Sequence, residues 1–216
     1  VIILLCSRLD NMLPTTLSRC QLVRLGAVDQ DRIVTQLTAD GISETEALYW
    51  ARFSQGSLGR ADAWAKLEMK SETVYPIKKE LVEKIAALEL PDAVNLSEWM
   101  SKTAKKIAAA WTSSAGNVSA TDITRRVQKG LIRMIACLYS DVMKVASGSA
   151  DSPVLVNFDQ PDCIEMLTQK IDADAAAGHV EFCYRMNRWV DSSVNEKLIF
   201  EQLLLNLSNS DILMGS

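Results

Sequence analysis

The chain has 216 residues, of which 48% are hydrophobic, and a formal net charge of −4 at pH 7. This length and apolar fraction suffice for one large domain or two to three small domains with hydrophobic cores. The acidic balance argues against a protein that grips long duplex DNA alone, so any contact with nucleic acid would be local or shared with partners. Five cysteines without a Cys-x-x-Cys pair predict neither a disulfide framework nor a zinc site, and they fit a reducing cytoplasm.

Strand patterns are confined to the start of the chain. Val1–Leu5 is a short, β-branched apolar run that predicts a buried strand, and it is too short to cross a bilayer. Leu9–Leu17 predicts a short helix or turn around Pro14, and Gln21–Leu25 predicts a second short strand. Because the chain begins inside an apolar run, we expect it to be a fragment of a longer protein.

From Asp29 onward the apolar residues recur with a helical period. Ser43 and Glu46 form a capping-box pattern at the start of one helix. Three short helices before residue 70 predict a small bundle, and the polar residues Lys70–Thr73 predict a hinge before longer helices. The predicted helices span residues 29–38, 43–53, 57–70, 72–90, 95–111, 119–146, 159–171, 174–191 and 194–207.

The triplet Ser18-Arg19-Cys20 follows the Leu13-Pro14 turn, and Ser7 ends the first strand as a polar residue. This order within residues 1–25 resembles the end of the AAA+ core in clamp-loader subunits. The resemblance implies that Arg19 is an arginine finger reaching into the ATP site of a neighbouring subunit, with Ser18 and Cys20 supporting the motif. It places Ser7 at the sensor position near the γ-phosphate. A forked, always protonated guanidinium suits this role because phosphoryl transfer spreads negative charge over oxygens.

The segment from Gly56 to Ala61 is similar to the second sensor of the same family. The family has arginine where this chain has Gly59, and Arg60 comes one residue later. Because one residue turns a helix by about 100°, Arg60 should not point in the direction of the family arginine. This departure puts self-catalysis in doubt and favours the non-hydrolysing, delta-prime type of subunit over the ATPase gamma/tau type.

Two later segments resemble the collar domain of clamp-loader subunits. One is Tyr139-Ser140-Asp141 within the longest predicted helix, and the other is the run from Asn195 to Leu205. The resemblance implies oligomerisation through these helices. The residues that it assigns to assembly are Tyr139, Asp141, Asn195, Leu198, Glu201 and Leu205.

The resemblance covers nearly the whole chain and implies a mainly α fold in three parts. Residues 1–27 would be the end of an AAA+ α/β core, 28–70 a three-helix lid, and 71–216 a helical collar. The implied partners are gamma/tau and delta subunits in a hetero-oligomeric ring. This ring would act in the cytoplasm on the sliding clamp and primed DNA with DNA polymerase III, without a membrane. ATP would be bound by the neighbours, since this sequence has no phosphate-binding loop, and we expect no cofactor, metal or independent activity here.

Other interpretations stay open at this stage. The chain could be a truncated gamma/tau-type ATPase subunit, a helical interaction scaffold without a nucleotide role, or a hydrolase using its single histidine, His179. Two helices carry basic clusters that predict either a solvated face or a contact with DNA or a partner. These clusters are Lys102, Lys105, Lys106 and Arg125, Arg126, Lys129, Arg133. The five tryptophans predict core or interface anchors.

Overall fold

A computed structural model describes residues 2–6, 9, 12–69, 72–114, 118–148, 153–192 and 194–208. Their regular structure is almost entirely helical, which confirms the mainly α prediction. The helices are α1 Pro14–Leu17, α2 Gln30–Ala39, α3 Glu44–Ser54, α4 Leu58–Ala65, α5 Val74–Ala86, α6 Ala93–Ser114, α7 Ala120–Ala146, α8 Pro161–Thr168, α9 Ala173–Asp191 and α10 Glu196–Ser208. No helix in the described part of the chain is both long and apolar enough to cross a membrane.

Both strands predicted for the AAA+ core are absent from the described residues. Residues 2–6 and 21–29 have no regular structure, and most of their side chains are exposed. A strand needs a neighbour to satisfy its backbone groups, and the described residues pair none with either segment. The prediction of AAA+ strands in residues 1–27 is therefore wrong for these segments, while Ser7 lies outside the described residues.

Helices α2, α3 and α4 pack together as a three-helix unit, and local signals explain where α2 and α3 begin. Asp29 caps α2 by accepting a hydrogen bond from Asp31 N, and Ser43 Oγ accepts one from Glu46 N at the start of α3. Helix α4 ends at Ala65, not at residue 70 as predicted. An antiparallel hairpin of β1 Glu68–Met69 and β2 Glu72–Thr73 replaces its last turn.

Helix α7 is the centre of the C-terminal part. It is 27 residues long and packs along α9, with α6, α5 and α8 against its other sides. Helix α10 closes the bundle by packing against α6 and α9. The apolar face of α7 is buried along its whole length, from Ile123 to Val142, as the helical period predicted.

The three-helix unit and the C-terminal bundle share one continuous hydrophobic core. The Trp64 ring of α4 meets the Trp111 ring of α6 edge-to-face, with 5.2 Å between the ring centroids. Trp64 also contacts α7 at Gly130, where a Cβ atom would overlap the indole ring. Only a glycine allows this close approach of the two helices.

Candidate functional site

The predicted arginine-finger motif lies in an exposed turn directly after α1. Pro14 occupies the first turn of this helix, where backbone N–H groups have no partner within the helix, so its missing N–H costs no hydrogen bond. Ser18 Oγ donates a hydrogen bond to Thr15 O at 3.2 Å, and the backbone N–H groups of Arg19 and Cys20 donate back into α1. The turn therefore fixes the backbone of Arg19 and leaves its side chain accessible. Its role as a finger stays a prediction.

Arg60, in the segment similar to the second sensor, lies in the first turn of α4. Its guanidinium Nη1 donates to Ser54 O at 3.4 Å, and its side chain faces α7, where Arg133 lies. Burial lowers the pKa of Arg60, and the charge of Arg133 lowers it further. The Cβ position of Gly59 faces open space.

Two of the predicted assembly residues, Tyr139 and Asp141, are buried in the interior of the folded chain. The ring of Tyr139 packs against His179 with 4.8 Å between centroids, and both are buried. Asp141 accepts hydrogen bonds from Asn157 N at 2.8 Å and from Val156 N at 3.0 Å, which fastens the loop between α7 and α8. Any contribution of Tyr139 or Asp141 to assembly would act through the shape of the domain.

The other assembly residues lie on α10. Asn195 Oδ1 accepts a hydrogen bond from Lys197 N at the start of this helix, and Glu201 forms an ion pair with Lys197 at 3.6 Å. Leu198 and Leu205 are 56% and 38% exposed, on the side opposite the buried residues of α10. Because residues 198, 201 and 205 lie about one turn apart, they form one strip of two exposed leucines around a carboxylate that is 25% exposed. We call it the α10 strip.

His179 does not form a catalytic site with the described residues. It is buried in the core against Tyr139, and burial lowers the pKa of its imidazole. It therefore favours the neutral form and has no access to solvent. Among the described residues no cluster of metal-binding side chains occurs, and all five cysteines are free.

One buried polar cluster was not predicted from the sequence. Lys78 Nζ of α5 lies 2.6 Å from Asp159 Oδ1, and Tyr75 Oη donates to Asp159 Oδ2 at 2.7 Å. The ammonium group also lies over the Tyr49 ring, 4.2 Å from its centroid. Lys78 occupies an apolar position of an amphipathic helix, and that irregularity in the pattern was its sequence signal. The partners come from distant segments, so the cluster fastens the loop before α8 to α5.

A comparison with protein families matches the C-terminal helices of the chain. Residues 118–209, less than half of the chain, match the family model described as DNA polymerase III, delta subunit, C terminal. No curated protein matches the chain. The matched range coincides with helices α7 to α10, which contain the α10 strip and both segments that resemble a collar. The match supports a relationship between this chain and the clamp-loader subunits of DNA polymerase III.

Proposed function

We propose that this chain is a subunit of the DNA polymerase III clamp loader and helps to load the sliding clamp onto primed DNA. The observation that carries the proposal is the family match over α7–α10, the C-terminal part of the helical bundle. The bundle would join gamma/tau and delta subunits in a ring, and the α10 strip is its candidate contact. Clamp loading acts on DNA, so the proposal places the chain in the cytoplasm.

The exposure of Leu198 and Leu205 supports the α10 strip as this contact. Neither leucine is needed for the core, since the buried face of α10 consists of other residues. Apolar side chains spaced along one exposed helix face gain stability when a partner helix removes them from water. Glu201 within the strip would add selectivity for a partner that carries a basic residue at the matching position.

The test of assembly is light scattering after gel filtration of the chain mixed with ATPase clamp-loader subunits of the same organism. We expect a mixed complex that is lost in the double variant Leu198→Gln/Leu205→Gln. The matched control is Leu58→Gln/Leu90→Gln, which changes leucines that are 37% and 48% exposed outside the strip. A complex that persists in the first variant, or is lost equally in both, would refute assembly through the α10 strip.

We further propose that the chain is of the delta-prime type and supplies Arg19 to the ATP site of its neighbour. The exposed turn supports this role, and so does Gly59, which stands where the ATPase subunits have their sensor arginine. Loss of an arginine finger lowers hydrolysis by roughly 10³–10⁵-fold at the site that it serves. We expect Arg19→Ala to abolish hydrolysis at one site of the reconstituted ring without disturbing assembly.

The matched control for Arg19 is Arg24→Ala, which removes another exposed arginine from the same segment. It should leave ATP hydrolysis unchanged. Equal rates for the wild type and Arg19→Ala would contradict the finger and favour an interaction scaffold without a nucleotide role. ATP hydrolysis by the isolated chain would instead favour a gamma/tau-type subunit.

A further inference from the structure

A cleft of about 640 Å³ opens between α4, α7 and α9. Its floor is aromatic, with Trp64 and Trp111 meeting edge-to-face, and the exposed ring of Tyr184 lies at its rim. The basic cluster of α7 predicted from the sequence lines one wall, and Arg60 of α4 faces it. We call this feature the α4–α7 cleft. Its size is in the range of sites that bind small molecules.

The α4–α7 cleft is positively charged although the whole chain is negative. Five basic and two acidic side chains line it, a formal charge of +3 against −4 for the chain. Asp191 pairs with Lys129 at 2.6 Å, and Asp122 lies 3.9 Å from Arg125. Both carboxylates of the cleft are thus already engaged. The described residues place no other carboxylate within ion-pair distance of the remaining cations, Arg60, Arg126 and Arg133.

Arg133 is the strongest sign that the cleft binds an anion. Its Nε and Nη2 atoms are buried and find no hydrogen-bond acceptor among the described residues. Its guanidinium lies over the Phe53 ring, 5.4 Å from the centroid, which holds the group in the cleft. Burying a charged donor without an acceptor is costly, and water could accept these hydrogen bonds without balancing the charge.

The neighbours of Arg133 also favour the binding of an anion in the cleft. Arg60 is close enough for the two positive charges to repel each other, which contributes to its lowered pKa. Arg126 lies over the Trp111 ring, 5.5 Å from the centroid, and is held beside the cleft. An anion between Arg60 and Arg133 would relieve the repulsion between their charges. It would also accept hydrogen bonds from the N–H groups of Arg133 that the described residues leave unpaired.

We propose that the α4–α7 cleft binds a phosphate group, either of a free nucleotide or of a nucleic-acid strand. Guanidinium groups hold phosphate oxygens through paired hydrogen bonds, which a lysine cannot reproduce. The aromatic side chains at the floor and rim suit the flat face of a base attached to that phosphate. The site is separate from the Arg19 turn and from the α10 strip, and it does not depend on the role proposed for either.

Binding is tested by calorimetry on the whole chain at low salt with three probes: inorganic triphosphate, ATP and a 15-nucleotide oligothymidylate. We expect saturable binding of at least one probe with one site per chain. Arg133→Gln and Arg60→Gln should each weaken it at least tenfold. The matched control Arg32→Gln, an exposed arginine of α2 outside the cleft, should change it less than twofold.

The probes separate the two sources of phosphate. Binding of ATP or triphosphate assigns a free nucleotide or polyphosphate, whereas binding of the oligonucleotide alone assigns a strand. The proposal is overturned if none of the probes saturates up to 1 mM, or if Arg32→Gln weakens binding as much as Arg133→Gln. Unfolding midpoints of the variants identify any loss caused by misfolding, and Arg60→Gln alters a partly solvated side chain at less risk to the core.

A second readout locates the ligand without any substitution. Trp64 and Trp111 line the cleft, whereas Trp99 and Trp189 do not. In nitrogen-15 correlation spectra the indole signals of the first pair should shift with the bound probe, and those of the second pair should stay. The opposite pattern would place the anion elsewhere and refute the site.

Discussion

The buried ion pair of Lys78 and Asp159 gives the sharpest test of what stabilises the fold. The two side chains are 0% and 3% exposed, and the only other group that donates to the carboxylate in the described residues is Tyr75 Oη. Asp159→Asn keeps the shape of the side chain but leaves the ammonium group buried without a counter-charge. Breaking one partner of such a pair destabilises a protein by about 3–5 kcal/mol, a large part of a total of about 5–15 kcal/mol.

This loss is measurable as a shift in urea unfolding followed by circular dichroism. With a slope of about 3 kcal/mol per molar, the midpoint should fall by about 1–1.7 M. The matched control is Asp191→Asn, which breaks an exposed pair with Lys129 of the same 2.6 Å length. Exposed pairs contribute about 0–1 kcal/mol, so this control should move the midpoint by less than about 0.3 M. Equal shifts in both variants would refute the argument from burial.

The pH dependence of Asp159→Asn carries a further check. Burial lowers the pKa of Lys78 from its ordinary value of 10.5, and Asp159 opposes that shift through a hydrogen bond and its charge. Without Asp159 the pKa of Lys78 in the folded state falls further. The folded state then binds fewer protons than the unfolded state over a wider pH range. Stability then rises with pH toward 10.5. The deficit of the variant should be smaller at pH 10 than at pH 7, and a constant deficit would contradict an unpaired ammonium group.

Three further predictions follow from single contacts. Gly130→Ala should lower stability by about 1–3 kcal/mol despite the higher helix propensity of alanine, because its Cβ would overlap the Trp64 ring. Gly59→Ala is the matched control, since its Cβ would face open space, and it should raise stability by about 0.5–1 kcal/mol. Asp141→Ala should lower it by about 2–4 kcal/mol, since it frees the N–H groups of residues 156 and 157. Because burial lowers the pKa of His179 below its ordinary value of 6.5, the folded state binds fewer protons than the unfolded state as the pH falls through this range. Stability should therefore fall between pH 7 and 5 in the wild type and less steeply in His179→Phe. Urea midpoints check all three, and unchanged values would contradict them.

Local signals in the sequence predicted the helices because caps and apolar periodicity act over a few residues. The Ser43 cap and the apolar stripe of α7 both lie where the pattern placed them, whereas the Glu46 carboxylate of the predicted capping box accepts a hydrogen bond from Trp50 Nε1. The strand predictions were wrong because a strand forms only beside a neighbouring strand, and the local sequence pattern does not show whether such a neighbour is present. The predicted end of α4 was also wrong. Leu67 and Met69 are buried by the chain that leads into and forms the hairpin, and not by a further turn of α4.

Candidate sites were predictable only where one short segment carries them. The Arg19 turn and the α10 strip are local, so their residues could be named from the sequence. The α4–α7 cleft joins residues more than 70 positions apart, such as Arg60 and Arg133, and only packing brings them together. The spacing of the α7 basic cluster was visible, but the sequence did not show that the Nε and Nη2 atoms of Arg133 would be buried.

The loop of residues 153–160 explains why the three-helix unit and the C-terminal bundle should unfold together. Arg52 of α3 donates to Leu155 O at 2.6 Å, Asp141 of α7 holds the backbone of the same loop, and Lys78 of α5 pairs with Asp159. One loop is thus fastened to three helices by charged groups, beside the shared core. Tryptophan fluorescence reports on the three-helix unit through Trp50 and Trp64 and on the C-terminal bundle through three further tryptophans, and circular dichroism reports on all helices. We expect the two signals to give one common midpoint. Replacing Arg52 by methionine should lower that midpoint for both signals, because the loop then loses its tie to α3 while the core still couples the two parts. A fluorescence transition that separates from the other would show that the core alone does not transmit stability between them.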